Sequence, residues 1–160
     1  MTIKVGDKIP SATLRTMGAQ GPQNVTTDEL FKGKKVALFA VPGAFTPTCS
    51  TKHLPGFVNN AEALKAKGVN SIVCLSVNDA FVMGAWGKDQ KVGDKVKMVA
   101  DGNADFAKSL GLTMDGSGHG MGTRSRRFSI VVENGVVTKL NVEAPGAFEV
   151  SSAEAMLKQL

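Results

Sequence analysis

Val36-Ala37-Leu38-Phe39-Ala40-Val41 is an unbroken apolar run, and Pro42-Gly43 closes it abruptly. So short a run, without polar alternation, is how a strand buried on both faces reads. Ile72-Val73-Cys74-Leu75-Ser76-Val77 repeats the pattern, and Val96-Lys97-Met98-Val99-Ala100 does so in a shorter, partly alternating form. Helical patterns lie between them. Phe57, Val58, Ala61 and Leu64 share one stripe, and Asp79 can cap the segment of Phe81, Val82 and Trp86. Asn103 is placed to do the same for Phe106, Ala107 and Leu110, and Thr26-x-x-Glu29 predicts a short helix before the first long strand.

The second half changes character. Phe128-Ser129-Ile130-Val131-Val132-Glu133 faces Val136-Val137-Thr138-Lys139-Leu140 across Asn134-Gly135, a strong signal for a two-residue hairpin. Ser151-x-x-Glu154 reads as a capping box that opens a final helix through Met156, Leu157 and Leu160. Alternation followed by a hairpin predicts an α/β protein, a mixed sheet flanked by helices on both faces. A thioredoxin-like arrangement satisfies the order, and so do other α/β sandwiches. No repeat or linker interrupts residues 1–160, which read as a single domain.

Hydrophobic residues make up 42% of the chain and charged residues 21%, an ordinary globular balance. No stretch approaches the roughly 18 apolar residues of a membrane span. Met1 to Asp7 has no apolar segment of the secretory kind, so a cytoplasmic protein is expected. The net charge of +5 comes from scattered lysines and two clusters, Lys32-Gly33-Lys34-Lys35 and Arg124-Ser125-Arg126-Arg127. Without aromatic residues interleaved among them, these argue against nucleic acid. With only Cys49 and Cys74, the chain has no disulfide framework.

The chemistry concentrates in Pro42-Gly43-Ala44-Phe45-Thr46-Pro47-Thr48-Cys49-Ser50, just beyond the carboxyl end of the first buried strand. Open α/β sheets place their ligand crevices there. Pro47 suits the first turn of a helix, with Thr46 ahead of it as N-cap. Cys49 then meets free backbone N–H groups and the positive end of the helix dipole, a setting that favours a reactive thiolate. Thr46 lies three residues earlier, within reach of the sulfur. On position alone Cys49 fits equally well as a small buried hydrophobe.

The string Pro42-x-x-x-Thr46-x-x-Cys49 resembles the peroxidatic motif of peroxiredoxins. The fuller stretch through Ser50 is similar to the subgroup that holds animal peroxiredoxin 5 and the plant type II enzymes. The likeness continues through His53-Leu54-Pro55-Gly56-Phe57, Ser76-Val77-Asn78-Asp79, Ala100-Asp101-Gly102 and Arg124-Ser125-Arg126-Arg127-Phe128. The resemblance implies a thioredoxin-like fold and a peroxidase acting on hydrogen peroxide and alkyl hydroperoxides, with no metal or organic cofactor. By the same resemblance, Cys49 attacks the peroxide and becomes a sulfenic acid, Thr46 hydrogen-bonds the peroxide, Pro42 shields the site and Arg127 stabilises the charges. Arg124 and Arg126 read as a solvated basic pair.

Cys74, in mid-strand, is expected to be inert, with a resolving role as the alternative. Animal members carry a resolving cysteine about where Ser151 stands here. That departure favours a one-cysteine cycle reduced by glutathione and glutaredoxin, or by thioredoxin. His53 and His119 read as surface or capping residues without metal-ligand spacing. Phe45, Phe81 and Trp86 belong either to the core or to a homodimer contact. The rival readings are a thiol–disulfide oxidoreductase, which wants a second cysteine near Cys49, and a non-catalytic redox sensor or holdase.

Overall fold

The computed structural model describes residues 2–160. The apolar run at Val36 becomes the central strand β3 (Lys35–Val41), which pairs in parallel with β4 (Ser71–Ser76). β4 pairs in parallel with β5 (Lys97–Ala100). The Asn134-Gly135 hairpin forms as expected, joining β8 (Phe128–Glu133) to β9 (Val136–Val142), with β8 antiparallel to β3. Both turn residues take positive φ, 49° at Asn134 and 80° at Gly135, as a type I′ turn requires.

One hairpin went unread in the sequence: β1 (Thr13–Gly18) and β2 (Gly21–Thr26) pair antiparallel, and β1 continues onto β5. Its only fully buried apolar residues are Leu14 and Val25, with Met17 packed partly buried against the opposite core, too few on either face to show as alternation. The sheet order is β2-β1-β5-β4-β3-β8-β9. A separate two-stranded ribbon holds β6 (Thr113–Asp115) against β7 (Thr123–Ser125).

The two-residue period of each strand sorts its side chains into two cores. On one face Phe39, Val41, Ile72, Cys74 and Met98 pack against α2 (Leu54–Asn59), α3 (Ala61–Ala66), α4 (Ala80–Asp89) and α6 (Ala153–Gln159). On the other, Val36, Leu38, Val73, Leu75 and Ile130 pack against α1 (Thr27–Phe31) and α5 (Asp105–Leu110).

The Thr26–Glu29 box and the Asp79 cap form as read, with Val82 N–H donating to Asp79 Oδ1 at 2.8 Å. Two caps move. The first turn of α5 donates to the Asp101 carboxylate, from Phe106 at 3.1 Å and Ala107 at 2.9 Å, and not to Asn103. Ser152 caps α6 in place of Ser151, accepting from Ala155 N–H at 3.0 Å. The stripe from Phe57 to Leu64 is broken at Asn60, where ψ rises to 11° and α2 gives way to α3.

Candidate active site

β3 delivers the chain to a tight turn at Ala44-Phe45, where Phe45 adopts a φ of 64°. A left-handed phenylalanine is costly, on the order of 1–2 kcal/mol. The turn is held by Ala44 N–H donating to Asn78 Oδ1 at 2.9 Å and by the Thr46 hydroxyl beside the Gly43 carbonyl oxygen at 2.6 Å. Gly43 has no alternative residue without movement. A Cβ there would lie 3.1 Å from both Arg124 Nη1 and Thr46 Cγ2.

The helix begins at Pro47, and Thr46 stands at its N-cap position. Its side chain serves the sulfur instead of a backbone amide, with Thr46 Oγ1 2.8 Å from Cys49 Sγ. A hydroxyl has one proton, so Thr46 donates either to Gly43 or to the sulfur. With a thiol, the S–H can donate to Oγ1 while the hydroxyl donates to Gly43. With a thiolate, the hydroxyl turns to the sulfur.

Immediately after, Cys49–His53 forms a wide π turn, closed by Leu54 N–H donating to the Cys49 carbonyl. Pro55 supplies the reason: it has no N–H for the Thr51 carbonyl, and its ring would collide with that carbonyl in a regular helix. The wide turn rotates His53 inward. The reading of His53 as a surface or capping residue is therefore corrected, because it is fully buried between Phe39, Phe57 and Phe148.

His53 has a defined tautomer. Nε2 lies 2.9 Å from the Ser151 carbonyl, which only accepts, so Nε2 carries the hydrogen. Nδ1 lies 2.9 Å from Arg127 Nη1, which only donates, so Nδ1 presents its lone pair. Burial and then the Arg127 charge drive its pKa down to about 3, against the opposing pull of Ser151 and Glu143. The ring is thus a neutral rest for the guanidinium. It is no Cys–His partner, since its acceptor nitrogen faces Arg127.

Arg127, just ahead of β8, spans from that ring to the sulfur: Nη2 donates to Cys49 Sγ at 3.2 Å. The Phe148 ring flanks its guanidinium at 5.8 Å. Arg124 and Arg126, read as solvated, are half-buried and engaged. Arg124 Nε donates to the Met121 carbonyl at 2.9 Å, and Arg126 Nη2 to that of Glu143 at 3.0 Å. Pro42, Thr48, Arg126 and Arg127 border a cleft of about 590 Å³ whose far wall is Glu143 to Ala147. A larger groove of about 680 Å³, beside β1 and α4, has no cysteine, histidine or serine along it.

Cys49 and Cys74 are both free and fully buried. Cys74 faces the same core as Cys49, level with Phe39 in the sheet. Burial and then the nearby Cys49 push its thiol well above the ordinary range, which Arg127 only partly offsets. His119 remains in an exposed loop, and among the described residues no group of three or more His, Cys, Asp or Glu is placed to hold a metal. Trp86 is core and donates to Ser50 Oγ at 3.1 Å, while Phe45 and Phe81 are 52% and 65% exposed.

A buried thiol held by a threonine hydroxyl and a guanidinium, beyond a strand of a thioredoxin-like sheet, defines a class of thiol-dependent peroxidases. Comparison with known proteins agrees. The redoxin family profile matches residues 4–157. Peroxiredoxin-2B of Arabidopsis thaliana is 50% identical over 159 residues, covering 99% of this chain and 98% of its own. Chloroplastic peroxiredoxin-2E of the same plant is 52% identical over 163 residues, 99% of this chain and 70% of its own. Reduced Prx3 from Vibrio vulnificus in complex with H2O2 superposes with a TM-score of 0.95 at 54% identity, over 99% of both chains. The chain belongs to the redoxin family and, within it, to the peroxiredoxins, which are thiol-dependent peroxidases.

Proposed function

We propose that Cys49 is the peroxidatic nucleophile of a one-cysteine cycle reducing hydrogen peroxide and alkyl hydroperoxides, recycled by glutathione with glutaredoxin. The observation that carries this reading is the convergence of the Arg127 guanidinium and the Thr46 hydroxyl on one buried sulfur. The thiolate attacks the terminal oxygen of the hydroperoxide. An S–O bond forms as the O–O bond breaks, Cys49 becomes a sulfenic acid, and the departing alkoxide or hydroxide takes a proton from water. Arg127 is permanently charged, so it supplies no proton; it holds the sulfur anion and then the charge building on the leaving oxygen. Thr46, with its single proton, turns from Gly43 to the sulfur or the peroxide. Pro42, at the edge of the cleft, excludes water from the reacting atoms.

The external reductant is inferred from where thiols are absent. Cys74 is sealed in the sheet, and Ser151 stands where animal relatives hold a resolving cysteine. A thiol attacks the sulfenic sulfur, releases water and leaves a mixed disulfide, which a second thiol reduces. Thioredoxin is the other candidate reductant. Phe45 and Phe81, exposed beside the Cys49 turn and at the start of α4, support a homodimer through that face.

Intact-mass analysis after one equivalent of peroxide, then after glutathione, tests the cycle. We expect one added oxygen and then a glutathione adduct, repeated turnover with glutaredoxin, and no turnover in Cys49→Ser. A Cys49–Cys74 disulfide would overturn the one-cysteine cycle. A single turnover with every donor tried would overturn the peroxidase cycle in favour of a redox sensor.

A further inference from the structure

The residue that follows β9, Glu143, is almost completely buried and is tied to the site at both its ends. Its backbone N–H donates to the Arg127 carbonyl at 2.9 Å, and its own carbonyl accepts from Arg126 Nη2 at 3.0 Å. Its carboxylate gathers the chain before α6. Oε1 accepts from Glu149 N–H at 2.9 Å. Oε2 accepts from the N–H groups of Glu149, Val150 and Ser151 at 2.9, 2.9 and 2.8 Å, and from the Ser151 hydroxyl at 2.6 Å. Three successive amides on one carboxylate form an anion nest with the anion supplied from within the chain. Residues 149–151 have no helix or strand of their own, so this carboxylate sets their path.

That path ends at the site. The Ser151 carbonyl accepts from His53 Nε2, His53 Nδ1 accepts from Arg127, and Arg127 donates to the Cys49 sulfur. The links are directional. Without an acceptor at Ser151, the His53 ring loses the partner that keeps hydrogen on Nε2. A hydrogen on Nδ1 would then face the Arg127 N–H, donor against donor, and push the guanidinium away. Phe148, which flanks both His53 and Arg127, lies one residue before the gathered segment.

We propose that Glu143 is a positioning residue for the peroxidatic centre: by fixing the Ser151 carbonyl it imposes the Nε2–H tautomer of His53 and so holds Arg127 on the Cys49 sulfur. This rests on the assignment of Cys49 as the reacting thiol. The state of the carboxylate agrees. Burial raises its affinity for a proton, but the Ser151 hydroxyl and the amides of Glu149, Ser151 and Val150 outweigh that and keep it below the usual carboxylate range. It is therefore an anion at neutral pH, as the nest requires.

The test is Glu143→Gln in the full chain, read by two measurements that need no peroxide. The first is the rate of Cys49 alkylation by iodoacetamide from pH 6 to pH 10, resolved by peptide mass. The second is the ring nitrogen NMR spectrum of His53. We expect alkylation at pH 7 to fall about tenfold, with the deficit closing toward high pH, because a displaced guanidinium no longer stabilises the thiolate. We expect the wild-type ring to show hydrogen on Nε2 alone, and the variant to show a mixed tautomer. A folded variant with wild-type alkylation and an unchanged His53 spectrum would overturn the proposal. Should glutamine prevent folding, Glu143→Asp keeps the charge but stops one carbon short of the three amides, and a wild-type profile there overturns it equally. Absence of peroxide turnover in the wild type would instead strike the function proposed above and leave both measurements readable.

Discussion

At His53 both ring nitrogens are committed, Nε2 as donor to Ser151 and Nδ1 as acceptor from Arg127. A second N–H proton, on Nδ1, has no place there, which is why the ring stays neutral down to about pH 3. An unfolded histidine titrates near 6.5. Between those values the unfolded chain binds more protons than the native one, so native stability falls as pH falls. The contribution is complete above about pH 6.5 and is lost progressively toward pH 3, for a total of about 3–5 kcal/mol. Urea unfolding at pH 7 and pH 4 should show the wild type losing about 3 kcal/mol more than His53→Gln. Equal losses in the two proteins would mean that His53 is not the buried neutral group described. His53 shows the limit of reading single residues: its sequence neighbours, Lys52 and Leu54, say nothing of the Phe39 and Phe148 rings around it. Pro55 was the available signal, because a proline there makes a regular helix through Thr51 untenable.

Among the elements, the turn between β3 and the Cys49 helix has the least room for change. Gly43 leaves space that Arg124, Thr46 and Met121 occupy at 3.1, 3.1 and 3.4 Å from where a Cβ would stand. Gly43→Ala must therefore displace Thr46, and with it the hydroxyl 2.8 Å from the sulfur. Peroxide kcat/KM should fall about three- to tenfold, since small misplacements of reacting groups are costly, while the melting temperature changes little. Stopped-flow peroxide reduction beside a thermal melt measures both, and an unchanged rate constant would show that the turn tolerates the methyl group. The elements built on local rules were all legible: the apolar β3 run, the Asn134-Gly135 turn, the Asp79 cap and the Thr26–Glu29 box. The others were decided by contacts from outside the element, which left no local signal or overrode a local one. The β1–β2 hairpin is stabilised by its edge position on β5, the Asp101 cap reaches α5 from outside the helix, and Ser151 is taken from its expected cap by Glu143.

Across the whole molecule, the two exposed phenylalanines are the feature the monomer does not explain. Phe45 is forced outward by its left-handed turn, and Phe81 lies in the first turn of α4. Burying a phenylalanine is worth about 1.5–3 kcal/mol, and a two-fold interface buries each of them twice. Sedimentation should therefore find a dimer at micromolar concentration, weakened at least about tenfold by Phe81→Asp. A wild type that sediments as a monomer at that concentration would remove the interface. By itself the sequence determined the α/β class, the buried strand, and a cysteine, threonine and proline set in the turn beyond it. Those follow from hydrophobic period and backbone restriction, which act over a few residues. Only the tertiary structure decided that Arg127, braced by a neutral, buried His53, reaches the sulfur, and that Glu143 steers the chain that fixes this ring. The His53–Arg127, Arg127–Cys49 and His53–Ser151 contacts join residues 74 to 98 positions apart, and no local pattern encodes a hydrogen bond whose partners meet only when the sheet is assembled.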